Sequence, residues 1–271
     1  MIARAIAVAL LLGAGAAPRL SAQTLDPTRE RNEYGAWLAT APLSPFAAIA
    51  VQPIGTGITL GPADADIPLP GVTRTRVTET RGVVTLEDSQ GRRPLGRRGT
   101  AALGPYRLLL GGSAGRSQLA VYGAPRNPRP PAWYPLQPAL VFTAALEPAE
   151  RRGVFRTLGL DGLETEASEA GFVTLPLPTG PARLRVYRMG SPDDDEAELQ
   201  LFFRDSTSGR GSYPAGRFVT LDPAGVNRYR INFNRARNPF CAYNTVFPCP
   251  APWPGNTLPA TIAAGERYEA H

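Results

Sequence analysis

Prolines recur so often along this chain that few stretches can hold a long helix. There are 29 of them, accompanied by 28 glycines, in 271 residues. A proline inside a helix removes one hydrogen bond and clashes with the preceding turn, and inside a central strand it removes a ladder bond. A chain interrupted at this rate is best served by short strands joined by tight turns. Hydrophobic residues make up 43% of it, enough to build a packed core. The expected class is therefore all-β with few short helices.

The first 22 residues read as an export signal. Arg4 supplies a positive start, Ile6 to Leu12 an apolar run, and Ser21-Ala22 a small-residue cleavage point. The run is too short to span a bilayer, and no later segment approaches the required length, so no transmembrane segment is expected after cleavage. The expected location is periplasmic or secreted. Cys241 and Cys249 are the two cysteines, and in an oxidising compartment a disulfide between them is expected. A free or redox-active pair is the alternative. A zinc site is not expected, because no His lies near.

Residues 29–39 suit one short helix, stopped by Pro42 and Pro45. Strand-like runs follow at 47–51, 57–60, 73–80, 82–87, 100–103, 106–111 and 117–122, separated by turn residues such as 88–91. Residues 124–138 are Pro-dense and read as an extended connector, with a long ordered loop inside one domain as the alternative. Strand signals resume at 139–146, 153–160, 171–177, 183–188, 197–204, 217–221 and 228–234. Leu199, Leu201 and Phe203 show the period of two of a half-buried strand. The expected organisation is a signal peptide over 1–22, a β-sandwich over 23–123, a connector over 124–138 and a second antiparallel β domain over 139–271. The run 193–196 is expected as a solvated acidic turn.

Positive charge comes entirely from arginine, with a formal net charge of +6. These arginines are scattered without an aromatic-interleaved stripe, so no nucleic-acid partner is expected. The only His is His271, at a chain end that is a poor place for a catalyst. That argues against Ser-His-Asp and Cys-His nucleophile systems and His-based metal sites. No P-loop or dinucleotide fingerprint is present. No cofactor and no metal are expected.

The polar residues that remain gather in two late loops. One holds Asp205, Thr207, Ser208, Tyr213 and Arg217, and the other Asn232, Asn234, Arg235 and Asn238. Asp205 is placed to accept from the backbone of Thr207 and Ser208 in an Asx-type turn. Such a set suits an anionic or sugar-like small ligand. It equally suits stapling of long loops onto the sheet by capping backbone groups. A further reading is a His-free hydrolase or lyase with Asp205 as base, Tyr213 or Ser208 assisting and Arg217 stabilising negative charge. That reading requires the Asp205 and Tyr213 oxygens to meet across a cleft.

Two resemblances bear on these readings. The block 58–70, the run 83–88 and Gly104-Pro105-Tyr106-Arg107-Leu108 resemble the forkhead-associated sandwich. That family's phosphothreonine-reading residues are missing: Leu60 precedes Gly61, and the region has no His and no Asn-Gly pair. From Phe203 onward the chain resembles domain-of-unknown-function family sixteen eighty-four. The blocks are Phe203-Arg204-Asp205-Ser206-Thr207-Ser208-Gly209 continuing to 212–218, then 231–243, Cys249-Pro250, Asn256, Leu258-Pro259 and Ala264-Gly265-Glu266-Arg267; Trp37-Leu38 and 66–70 resemble the family's front half, so the resemblance extends over most of the chain after residue 22. Asn232, Arg237 and Gly255 replace the family's usual Asp, Tyr and Glu, so the resemblance implies no acid–base role at those positions.

Overall fold

The computed structural model describes residues 26–97, 99–150, 153–190 and 197–269. The signal-like segment, the acidic run 193–196 and His271 lie outside the described residues. The helix expected at 29–39 is α1, Pro27–Thr40; the Asp26 side chain accepts from Thr28 N at 3.0 Å, which starts it two residues earlier.

Nine strands follow: β1 (Ala48–Pro53), β2 (Ile58–Gly61), β3 (Ile67–Pro68), β4 (Thr75–Thr80), β5 (Val83–Asp88), β6 (Gly91–Leu95), β7 (Ala101–Leu103), β8 (Tyr106–Ser113) and β9 (Arg116–Tyr122). They form a four-stranded sheet, β1-β9-β8-β7, and a five-stranded sheet, β3-β2-β4-β5-β6. Both contribute to one core that includes Leu60, Leu69, Val77, Leu86, Leu108 and Leu119. β6 had no strand signal because it reads GRRPL, yet its Pro94 sits on the outermost strand, where no ladder partner lies beyond it.

Eight more strands build the second half: β10 (Val141–Ala145), β11 (Glu147–Pro148), β12 (Val154–Leu158), β13 (Glu164–Leu177), β14 (Gly180–Met189), β15 (Glu198–Phe203), β16 (Arg217–Pro223) and β17 (Arg228–Asn232). The order is β10-β17-β16-β15-β14-β13-β11, with β12 paired to β13. Because β10 and β11 are consecutive, the segment 141–148 pairs with β17 along one part and with β13 along the next. The sheet thereby curls into a near-barrel. Closure runs through a bulge between Glu169 and Gly171. Gly171 has φ +146° there, and a Cβ on it would lie 2.0 Å from the Glu147 carbonyl oxygen. Only a glycine lets the strands meet at that point.

Residues 171–177 alternate clearly and predicted the far part of β13. Its polar first part, Glu164 to Ala170, has no such alternation, and becomes strand because β12 and β14 flank it. Inside the barrel lie Val173, Leu175, Leu184, Val186, Leu201, Phe203, Val219, Leu221 and Ile231. The two halves are packed together through Ala47, Ala120 and Tyr122 from the first and Leu163, Phe240 and Phe247 from the second. Glu164 N donates to Gln118 Oε1 at 2.8 Å, and Asn244 Nδ2 donates to the carbonyls of Pro45 and Ala48. No helix among the described residues is long and apolar enough to cross a membrane.

Candidate functional site

One end of the barrel is filled by an extended tail. Along it Asn256, Leu258, Ala260, Ile262 and Ala264 are buried, while Thr257, Pro259 and Thr261 are exposed. The buried aliphatic side chains join the barrel core. The period is that of a strand, but Pro259 and the curvature allow only isolated pairing: Arg204 N donates to the Asn256 carbonyl, Leu258 N to the Arg204 carbonyl, and Ser206 N to the Ala260 carbonyl. The next carbonyls of the tail need donors from elsewhere, since a buried unpaired carbonyl is costly.

Arg217 supplies them. It is the first residue of β16, across from Phe203, and it shares the inward alternation of Val219 and Leu221. Its guanidinium donates to the carbonyls of Ile262 (2.8 Å), Ala264 and Glu266 (3.3 Å). Asp205 completes the arrangement 3.3 Å from Arg217 Nη2, and the two side chains are 0% and 1% exposed. Asp205 Oδ2 also accepts from Ile262 N at 2.7 Å, and Thr207 Oγ1 lies 2.9 Å from both carboxylate oxygens. Thr207 in turn meets Ser212 Oγ at 2.7 Å. Burial pulls the Arg217 pKa down, and the neighbouring Asp205 opposes this. The expected Asx-type bonds from the backbone of Thr207 and Ser208 are instead made by their hydroxyls, and the backbone donor to the Asp205 carboxylate is Ile262. A turn preceding a buried tail has that tail's amides as nearer competitors for the carboxylate.

A second buried carboxyl, Glu266, lies at the end of the tail and is 1% exposed. Its Oε2 accepts from Asn238 N at 2.8 Å, and its Oε1 meets the Tyr243 hydroxyl, which lies 3.4 Å from that of Tyr34 on α1. Burial pushes the Glu266 carboxyl up to about 8, although Asn238 N, Arg237 and Arg217 all pull it down. Gly265, at φ +77°, lets the tail pass the Phe233 and Ala236 carbonyls, which a Cβ would meet at 2.6 and 2.7 Å.

The other expected residues point elsewhere. Asn234 accepts from Gln137 N at 2.7 Å and donates to its carbonyl at 2.9 Å, clamping the proline-dense segment. Asn232 caps the short helical turn after β17 by accepting from Asn234 N. Arg235 pairs with Glu30 and Asp222, each at 2.7 Å. Asn238 Nδ2 donates to the Arg267 carbonyl. Tyr213 directs its hydroxyl at the sulfurs of the Cys241–Cys249 disulfide, at 3.3 and 3.2 Å, and burial raises its pKa. The structure thus joins Asp205, Thr207, Ser208 and Arg217, and leaves Tyr213, Asn234, Arg235 and Asn238 in separate contacts.

A family model described as a protein of unknown function, DUF1684, matches residues 131–267, half of the chain. This protein belongs to the DUF1684 family. Among solved structures, the solution NMR structure of an uncharacterized protein from Haloarcula marismortui matches with a TM-score of 0.45 and 26% identity, covering 51% of this chain and 76% of that one. No curated protein matches.

The DUF1684 region contains the barrel, its tail and both buried carboxyls. Three residues that loop reasoning passed over matter most there. Asn256 is fully buried and bridges two strands, accepting from Arg185 N and donating to the carbonyls of Arg185 and Phe202. Glu266 and Ser212 are the others. The signal that would have found Asn256 and Glu266 is the alternation of apolar residues between them, read as a strand. Among the described residues no group of three or more His, Cys, Asp or Glu converges as metal ligands do.

Proposed function

We propose that this is an exported, non-catalytic module whose polar loop residues fasten the tail into the barrel. One observation carries the reading: the Asp205 and Arg217 side chains are shut away from solvent and spend their hydrogen bonds on each other, on Thr207 and on the backbone of residues 262–266. A base must reach the proton it removes, and a guanidinium that stabilises an anion must face the substrate. Neither group has an open side. The expectation of export rests on the leader-like first residues and agrees with the Cys241–Cys249 disulfide.

The test compares two arginines by chemical denaturation. Arg217→Ala leaves Asp205 buried without its partner and is expected to cost about 3–5 kcal/mol. Arg235→Ala removes a half-exposed pair and is expected to cost less than about 1 kcal/mol. Hydrolysis of simple esters or glycosides by the wild-type chain, lost in Asp205→Asn without loss of stability, would overturn the proposal in favour of the hydrolase reading.

A further inference from the structure

The Cys241–Cys249 disulfide joins two sulfurs in unlike surroundings. Cys241 is buried on the short helical turn Phe240–Ala242, which is tied to the barrel by Phe240 N donating to the Leu160 carbonyl at 2.9 Å. Cys249 follows the exposed Pro248 and is itself exposed. A thiolate from solution therefore has one sulfur to attack, Cys249 Sγ, and one to expel, Cys241 Sγ. The Tyr213 hydroxyl lies beside both, 3.3 Å from Cys241 Sγ and 3.2 Å from Cys249 Sγ. Burial raises its pKa, so it stays a phenol and can donate to a sulfur that gains charge.

Between the two cysteines lie side chains that reach the sandwich. Asn244 Nδ2 donates to the Pro45 and Ala48 carbonyls at 2.9 and 3.0 Å. Phe247 packs with Ala47, Ala120 and Tyr122. On its barrel side Phe247 seats against Gly162, where a Cβ would come within 3.0 Å of it. A closure over a sequence separation of 8 restrains the unfolded chain less than a long one does. Its main effect is local: it fixes Asn244 and Phe247 between the two halves.

We propose that this disulfide is a thiol-exchange site for a dithiol, of the kind carried by the Cys-x-x-Cys pair of a thioredoxin-fold protein, with Tyr213 donating to the departing sulfur, and that its reduction uncouples the sandwich from the barrel. The attacking thiolate bonds to Cys249 Sγ, the Cys241–Cys249 bond breaks, and its electron pair leaves on Cys241 Sγ, which takes up a proton. The partner's second thiol then attacks the mixed disulfide and releases Cys249. The dithiol ends as a disulfide and this chain as two thiols, a two-electron exchange. The inference goes beyond the fastening of the tail and uses none of the Asp205–Arg217 contacts, so either can fail without the other.

The experiment uses the intact chain. A thioredoxin whose second active-site cysteine is replaced by serine is expected to be trapped as a mixed disulfide on Cys249, located by peptide mass. Dithiothreitol without denaturant is expected to turn both cysteines into alkylatable thiols and to split the single calorimetric transition of the oxidised chain into two. Tyr213→Phe keeps the ring and removes the donor. Its reduction by dithiothreitol is expected to be about fivefold slower, the worth of one hydrogen bond, while its oxidised form melts as the wild type does. Resistance of the folded wild-type chain to dithiothreitol, trapping on Cys241, one unshifted transition after reduction, or an unchanged reduction rate in Tyr213→Phe would each overturn the proposal.

Discussion

Glu266 shows at the level of one residue how burial sets chemistry. A fully buried carboxyl favours its neutral form even with Asn238 N, Tyr243, Arg237 and Arg217 beside it, and its pKa of about 8 lies well above the ordinary 4.5. The sign follows from linkage. Between those two values the unfolded chain has released the proton and the folded chain still holds it, so the folded state is stabilised at low pH and loses that stability as pH rises toward about 8. Glu266→Gln removes the titration. Its melting temperature is expected to vary less with pH than that of the wild type across this window, and an unchanged slope would contradict the assignment. Asp205 was readable as a polar anchor from its spacing to Thr207 and Ser208. Its main partner, Ile262 N, was not, because it lies 57 residues along the chain and no local spacing encodes such a meeting.

The elements were legible where one face was apolar and illegible where tertiary partners decided. Leu199, Leu201 and Phe203 announce β15, and Leu184 and Val186 announce β14. The tail does the same between residues 256 and 264, yet its proline and lack of a regular ladder hide it among loops. The bulge that closes the barrel was equally hidden, since Glu169-Ala170-Gly171 carries no alternation. Gly171 provides a test at this scale. Gly171→Ala forces a side chain against the Glu147 carbonyl in a conformation that L-residues avoid. The expected loss is about 2–4 kcal/mol, in the range of backbone strain combined with overpacking. Denaturation of Gly171→Ala beside Gly180→Ala separates the closure from a general glycine effect, because nothing lies within 4 Å of a Cβ at Gly180.

Across the whole molecule, the proline-dense segment reads in sequence as a spacer, and in the structure it runs against the second half. Tyr134 N donates to the Gly265 carbonyl, Arg267 N donates to the Ala132 carbonyl, and Asn234 clamps Gln137. Together with the shared cluster of Ala47, Tyr122, Leu163 and Phe247, these contacts couple the sandwich to the barrel. A single calorimetric unfolding transition is therefore expected, with calorimetric and van't Hoff enthalpies equal. Leu163→Ala, which thins the shared cluster, is expected to separate it into two. Two transitions in the wild-type chain would show that the contacts do not couple the halves.

The way the tail enters the barrel also fixes an order of events in time. Leu258, Ala260, Ile262 and Ala264 are synthesised after every strand whose core they complete. Until they arrive, Arg217 faces a hydrophobic opening with none of the carbonyls it serves. A nascent chain halted before them keeps that interior uncovered, so quality-control proteases and chaperones have a ready mark for incomplete copies.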